Sequence, residues 1–270
     1  MTGPLDIGWE TVAGAAALIV VNGLISVVLG LRIERTLAVA ALRTVVQLTL
    51  LGWILAPVFA TAHPLLVAGI VGVMVTVASV EAVRRSRRGF AGLLPRAFAT
   101  ILISAGATVV VGNAVLIGVD PWWAPRYLIP LLGMILGNTL TGLSLGVDRL
   151  LAGLDEGRER VELRLARGAT AWEAALPAVQ EAIRAGMTPI LNSMAVVGLV
   201  SIPGMMTGQI LGGTPPDLAA RYQILIMFLI AAATALGVTG GVLLSVRALF
   251  DDRGRLRVER LTRRGEAGGD

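Results

Sequence analysis

Residues 148–186 read DRLLAGLDEGRERVELRLARGATAWEAALPAVQEAIRAG, and long apolar stretches flank them on both sides. Residues 156–167 alternate charge with Leu or Val at helical spacing, so Val161, Leu163, Leu165 and Ala166 form an apolar strip against Arg and Glu. Thr170 followed three positions later by Glu173 is a capping box that starts a second helix. That helix sets Trp172, Ala175, Leu176, Val179 and Ile183 on one side. Pro177 inside it is expected to bend it or to open a new first turn. The expected product is a short helix lying across a membrane face, then a turn into the next apolar segment. Gly168 allows a turn with positive φ or a close backbone approach. Trp172 offers contact area to a partner. Periodicity alone also fits an amphipathic helix resting on lipid.

The flanking segments decide the class. Of 270 residues, 55% are apolar and only 15% charged, and the mean hydropathy is +0.79. A soluble domain carries about a quarter charged residues, so this composition predicts an all-α polytopic membrane protein. A spanning helix needs roughly 20 apolar residues. Seven segments qualify, at 9–31, 39–59, 64–83, 97–118, 127–147, 187–211 and 222–247. The interruption thus falls between the fifth and sixth spans. Residues 1–250 are read as one transmembrane domain and 251–270 as a charged tail, amphipathic at first and then disordered. The turn at 60–64 is tight, and Pro64 suits the first turn of the third helix.

All 23 basic residues are Arg, and they cluster. Taking alternate loops, 20 lie on one side of the seven spans and only Arg126 and Arg221 on the other, with Arg43 inside a segment. The basic side is expected to be cytoplasmic, which puts the N-terminus outside, the C-terminus inside and the protein in the cell membrane. Trp122, Trp123 and Tyr127 fall at the expected outer interface. The basic charge therefore reads as an orientation signal, and no nucleic-acid partner is expected. The absence of Cys excludes disulfides, zinc–thiolate sites and iron–sulfur clusters. A single His, His63, excludes a multi-histidine metal site within one chain.

Two stretches carry a family resemblance. The run from Glu162 to Pro177, ELRLARGATAWEAALP, resembles the cytoplasmic coupling loop of ABC-transporter permeases. The run 197–213, VGLVSIPGMMTGQILGG, is similar to the signature of the FetB-like (YbbM) permease family, ABC-class iron exporters with plant relatives linked to aluminium tolerance. LRTVVQL at 42–48, Glu81-Ala82 and IPLLGMILGN at 129–138 extend the likeness over about 9–248. The resemblance implies a permease that docks a separate cytoplasmic ATPase through Glu162, Gly168, Ala169, Trp172, Leu176 and Pro177. It implies metal export, with iron first. A homodimer is expected, because one seven-helix subunit supplies half a pathway. The chain has no Gly-rich phosphate loop and no Lys with which to build one. ATP and Mg are thus expected at the partner, with no cofactor and no enzymatic activity in this chain. The alternatives are an ion-coupled secondary transporter, or an ABC permease for a non-metal substrate. Acids confined to helix ends and loops weigh against the carrier.

Candidate pathway residues follow. Pro203-Gly204 interrupts the sixth apolar segment, which is tolerated at membrane depth where backbone is buried or lines a cavity. Met205, Met206 and Gln209 follow at once. The two thioethers are soft metal ligands or flexible packing. Arg43 and Gln47 share a helix face, and Arg43 either serves the pathway or snorkels to the interface. Glu81 pairs with Arg85 four residues on, or attracts cations to the inner mouth. Gly133 and Gly137 form a small-xxx-small face that would let Asn138 bond across helices, or Asn138 contacts substrate. Asn192 has the same two readings.

Overall fold

The computed structural model describes residues 7–251 and 253–263. Helix α1 (Trp9–Val28) and α2 (Glu34–Thr61) form a hairpin. Its turn is fixed by the Ser26 hydroxyl, which donates to Glu34 at 2.8 Å and accepts from the Ile33 N–H at 3.1 Å. The second turn closes on Ala62 in a left-handed conformation (φ 41°), and Pro64 opens α3 (Pro64–Arg85) as expected. Strand β1 (Arg88–Phe90) leads to α4 (Leu93–Val110), which widens into a π-helix at Val111–Ile117. There follow α5 (Pro125–Glu156), α6 (Arg158–Ala166), α7 (Ala171–Val196), α8 (Gly204–Leu211) and α9 (Pro216–Leu249). A 3₁₀ turn (Val258–Arg260) and β2 (Leu261–Arg263) close the described chain.

Among the described residues six helices are long and apolar enough to cross a membrane. The expected sixth span, 187–211, is not one helix: α7 ends at Val196, and α8 begins only at Gly204. The fifth span is also longer than expected. With 32 residues, α5 measures about 48 Å, against a hydrocarbon core of about 30 Å. Its last turns, with α6 and the start of α7, form a stalk at the arginine-rich end of the bundle. Nor does α7 restart at Pro177. It continues through Pro177 and Pro189, so stalk and bundle share one helix of 26 residues, about 39 Å along its axis.

The core lies where α5, α7 and α9 meet. A Cβ at Gly142 would stand 2.8 Å from the Gly186 carbonyl oxygen and 2.9 Å from the Val238 side chain. One at Gly186 would stand 2.7 Å from the Gly142 carbonyl oxygen. Gly146 continues the seam, with Val238 at 3.0 Å and the Ala182 carbonyl oxygen at 3.3 Å. These helices are packed backbone to backbone, the arrangement that small residues permit in a membrane. The face at Gly133 and Gly137 does not do this. Nothing lies within 4 Å of a Cβ at Gly137, and at Gly133 only the tip of Met74 does.

The tail also departs from expectation. Beyond α9 the chain folds back, and β2 pairs antiparallel with β1 through Arg88–Arg263, Gly89–Thr262 and Phe90–Leu261. Asp251 organises the return by accepting from the Arg253 and Arg255 N–H groups at 3.0 and 2.8 Å and from the Arg255 guanidinium at 2.9 Å. These donors, the Arg255 N–H first, hold its carboxyl down at about 2. The expected disorder falls mainly at 264–270, outside the described residues.

Gly186→Leu is expected to abolish the folded protein, since beside the Val238 side chain at 2.6 Å stands the Gly142 carbonyl oxygen at 2.7 Å, a backbone atom that cannot yield; overpacking typically costs about 1–3 kcal/mol even where side chains can move. Gly137→Ala should leave the melting temperature in detergent unchanged. Size-exclusion profiles after a thermal ramp distinguish the two.

Candidate functional site

The stalk is built from local rules. Helix α6 stops in a Schellman motif: the Ala169 N–H donates to the Arg164 carbonyl and the Gly168 N–H to the Leu165 carbonyl, at 3.1 and 3.0 Å. Gly168 has φ +92° with open space around it, so glycine is required for conformation and not for close approach. Thr170 then caps α7. Its hydroxyl accepts from the Glu173 N–H at 3.2 Å, and its own N–H donates to the Glu173 carboxylate at 2.8 Å. That N–H, with the Thr170 hydroxyl, lowers the Glu173 carboxyl below its usual range.

Burial orients the two helices. Val161 of α6 and Ala174, Ala175, Val179 and Ala182 of α7 are buried. Leu165 and Ile183 are half-buried against them, while Leu163 is exposed. Trp172 turns outward with 46% of its surface exposed, and Leu176 is half-buried. Glu162 is exposed beside Arg158, which donates to it at 2.6 Å. Pro177 lines a cleft of about 190 Å³ between α5, α6 and α7, bordered by Arg149, Arg160, Arg164 and Glu181. Arg149 and Glu181 form an ion pair across it. Asp148 accepts from the Ser86 hydroxyl and from the Arg87 and Arg88 N–H groups at 3.3, 2.8 and 3.2 Å. Arg88 in turn reaches Asp155 at 3.5 Å and Glu156 at 2.8 Å. The link between α3 and α4 is thereby fastened to the stalk, which the sequence reading missed.

At the far end of α7 the helix gives way to seven non-helical residues, 197–203. A Gly198 N–H to Ser201 carbonyl bond at 2.9 Å closes a small loop. Leu199 and Val200 are 88% and 84% exposed. Pro203 is the N-cap of α8, and its carbonyl is taken by the N–H and hydroxyl of Thr207 at 3.0 and 3.2 Å. The break expected at Pro203-Gly204 is therefore real, but it begins six residues earlier and its last carbonyl is satisfied.

Beside α8 lies a cavity of about 330 Å³ at the arginine-poor end, walled by the π-helix, α5, α8 and α9. Met205 and Gln209 line it, as do Asn113, Arg126, Tyr127, Met134 and Tyr222; Met206 does not. Asn113 is fully buried, and its amide N–H donates to the Trp122 carbonyl at 3.1 Å. Asn113 Oδ1 and Gln209 Oε1 are both buried without a hydrogen-bond partner. Asn113 and Met134 were not singled out from sequence; a Gly-Asn pair inside an apolar run just before a chain reversal was the available signal.

The remaining candidates lie apart. Asn138 donates to the Met134 carbonyl of its own helix at 2.9 Å, and among the described residues no hydrogen bond joins it to another helix. Glu81 lies 3.7 Å from Arg84, three residues on, and not against Arg85. Asn192 is exposed on α7. Arg43 and Gln47 are exposed on α2, and no hydrogen bond or ion pair holds either among the described residues. Also among the described residues, no group of three or more His, Cys, Asp or Glu side chains could hold a metal ion.

A family model described as "Uncharacterised protein family (UPF0014)" matches residues 9–250. The chain is 37% identical over 257 residues to the UPF0014 membrane protein slr1647 of Synechocystis, covering 94% of this chain and 96% of that one. It is 34% identical over 232 residues to Protein ALUMINUM SENSITIVE 3 of Arabidopsis thaliana, covering 83% and 82%. It is 29% identical over 255 residues to the "Probable iron export permease protein FetB" of Escherichia coli K12, covering 94% and 97%. No solved structure matches the chain.

Lowering the Glu173 carboxyl means that its contribution to α7 is complete above the unfolded value of 4.5 and is lost as pH falls through the lower folded value. The protection factors of amides in the first turn of α7, which correct for the intrinsic pH dependence of exchange, should fall only as pH drops below 4.5. Thr170→Ala should bring the same fall in protection at neutral pH, from a cap loss of about 1 kcal/mol.

Proposed function

The chain belongs to the UPF0014 family, and from that premise we propose that it is the membrane-spanning subunit of an ATP-binding-cassette transporter. It works with a separate cytoplasmic ATPase and exports metal ions, iron among them. One observation carries this reading: a single continuous helix, α7, begins beside the exposed Trp172 and ends at a break in an apolar run. A partner that closes on ATP pushes at Trp172, and a rigid rod delivers the displacement to residues 197–203. The name of the Escherichia coli relative supports permease function and the metal substrate. ATP and Mg stay with the partner.

In this reading α7, the break and α8 together make the sixth of seven crossings. The N-terminus is then outside, and the arginine-rich stalk and C-terminus are cytoplasmic, in the cell membrane. The functional unit is a homodimer. Non-helical backbone at membrane depth must be covered by protein or line a watery cavity, and within one chain 198–202 is exposed between half-buried Val197 and Pro203. Arg43 and Gln47 on α2 pose the same demand, because charge facing lipid is costly and none of the most apolar window of α2 is buried. A second copy covers both faces, with the pathway between. Asn138, Asn192 and Glu81 then face that pathway or its inner mouth.

Pull-down of the tagged chain from its native membrane in gentle detergent should bring a stoichiometric soluble ATPase. Trp172→Ala or Gly168→Val should release it without dissolving the dimer. A dimer that never carries an ATPase would defeat the proposal. Replacing Pro203-Gly204 by Ala-Leu should abolish metal efflux from loaded vesicles while the complex still assembles. If Arg43 contributes more than a membrane anchor, Arg43→Lys should slow efflux severalfold; normal efflux reduces it to an anchor.

A further inference from the structure

The cavity beside α8 is furnished in a way that ordinary packing does not explain. Asn113 and Gln209 each place a buried amide oxygen without a partner in its wall. Buried amide oxygens left unpaired are destabilising and uncommon in native interiors. Asn113 is anchored, because its amide N–H is committed to the Trp122 carbonyl. Its oxygen therefore cannot exchange roles with its nitrogen without losing that bond. Met134 and Met205 line the same space, and each brings a thioether. Leu would fill it equally well, and only sulfur adds donor capacity toward a metal.

We propose that this cavity is a weak cation site for a soft or borderline transition metal, made of two amide oxygens and two thioethers and lying on the exit side of the pathway. This inference rests on the transporter reading and places a substrate site within it. All four donors are neutral, and no Asp, Glu, His or Cys lines the cavity. Soft thioethers disfavour Mg and Ca, which prefer carboxylate and water oxygen. The lack of an anionic ligand keeps affinity low, and a transport site must release its ion as well as hold it. Arg126, exposed at the rim, lowers cation affinity further and favours departure over residence. Three pieces of chain build the site: the π-helix supplies Asn113, α5 supplies Met134, and α8 supplies Met205 and Gln209. Since α8 follows the break directly, movement at 197–203 alters the site's geometry, which couples release to the gate.

Equilibrium dialysis of the purified dimer with Ag(I), a redox-inert soft probe, and with anaerobic Fe(II) should show one saturable ion per chain, with Mg(II) not competing. The double variant Met134→Leu/Met205→Leu nearly conserves volume and should weaken Ag(I) binding at least tenfold, while Met206→Leu changes nothing. Gln209→Leu should weaken Fe(II) binding, and Arg126→Gln should strengthen both. Absence of saturable binding would overturn the site, as would Ag(I) binding indifferent to the loss of both thioethers. ATPase co-purification is scored on the same preparations. A variant that loses metal but keeps the ATPase speaks to the site alone; failure to bind the ATPase speaks to the transporter reading.

Discussion

Backbone contact between α5 and α7 at Gly142 and Gly186 is the constraint on which the rest depends. Each carbonyl occupies the space that a Cβ on the other glycine would need. The helices therefore lie as close as helices can, and Val238 of α9 fills the groove they leave. This seam sits midway along α7. On one side of it the helix runs into the stalk; on the other it runs to the break. A rod gripped at its middle by rigid backbone contact moves at both ends together. The rest of the arrangement elaborates that fact: Asp148 and Arg88 brace the stalk against the α3–α4 link, and the returning tail pairs with β1 beside them.

The bundle contrasts a packed half with a bare one. Helices α5 and α9 bury more than a third of their length, whereas the α1–α2 hairpin touches the remaining helices sparsely. Lipid can cover the apolar part of that hairpin at no cost. It covers Arg43, Gln47 and the open loop at 197–203 poorly. The distribution of polar groups, more than the amount of apolar surface, argues for a second copy.

Much of this was legible in the chain. The Thr170–Glu173 box and the Gly168 turn are short-range devices, in which partners three to five residues apart fix the geometry, so the sequence announces them. Six of the seven expected spans matched helices for the same reason: an apolar run of spanning length has few alternatives in lipid. The errors were non-local. Whether Pro177 opens a new helix or sits inside a continuous one depends on the α5 surface that supports it. Which glycines pack depends on what stands opposite, so Gly133 and Gly137 have the same spacing as Gly142 and Gly146 but meet only the tip of Met74 and open space. The tail strand needed a partner more than 170 positions away, roughly counted along the chain. Asn113 looked uninformative because only the fold brings it beside Gln209.

The central claim is that α7 transmits force from the stalk to the break, and the absence of cysteine in the chain makes that directly measurable. A single Val200→Cys substitution gives one thiol, placed in the exposed loop at the end of the rod. Its maleimide labelling rate would be followed in the complex with the ATPase, before and after trapping with ATP and vanadate. The account predicts a severalfold change in rate on trapping, abolished when two glycines are inserted after Ala178 to soften the rod. Equal rates in both nucleotide states, with the ATPase bound and active, would contradict it.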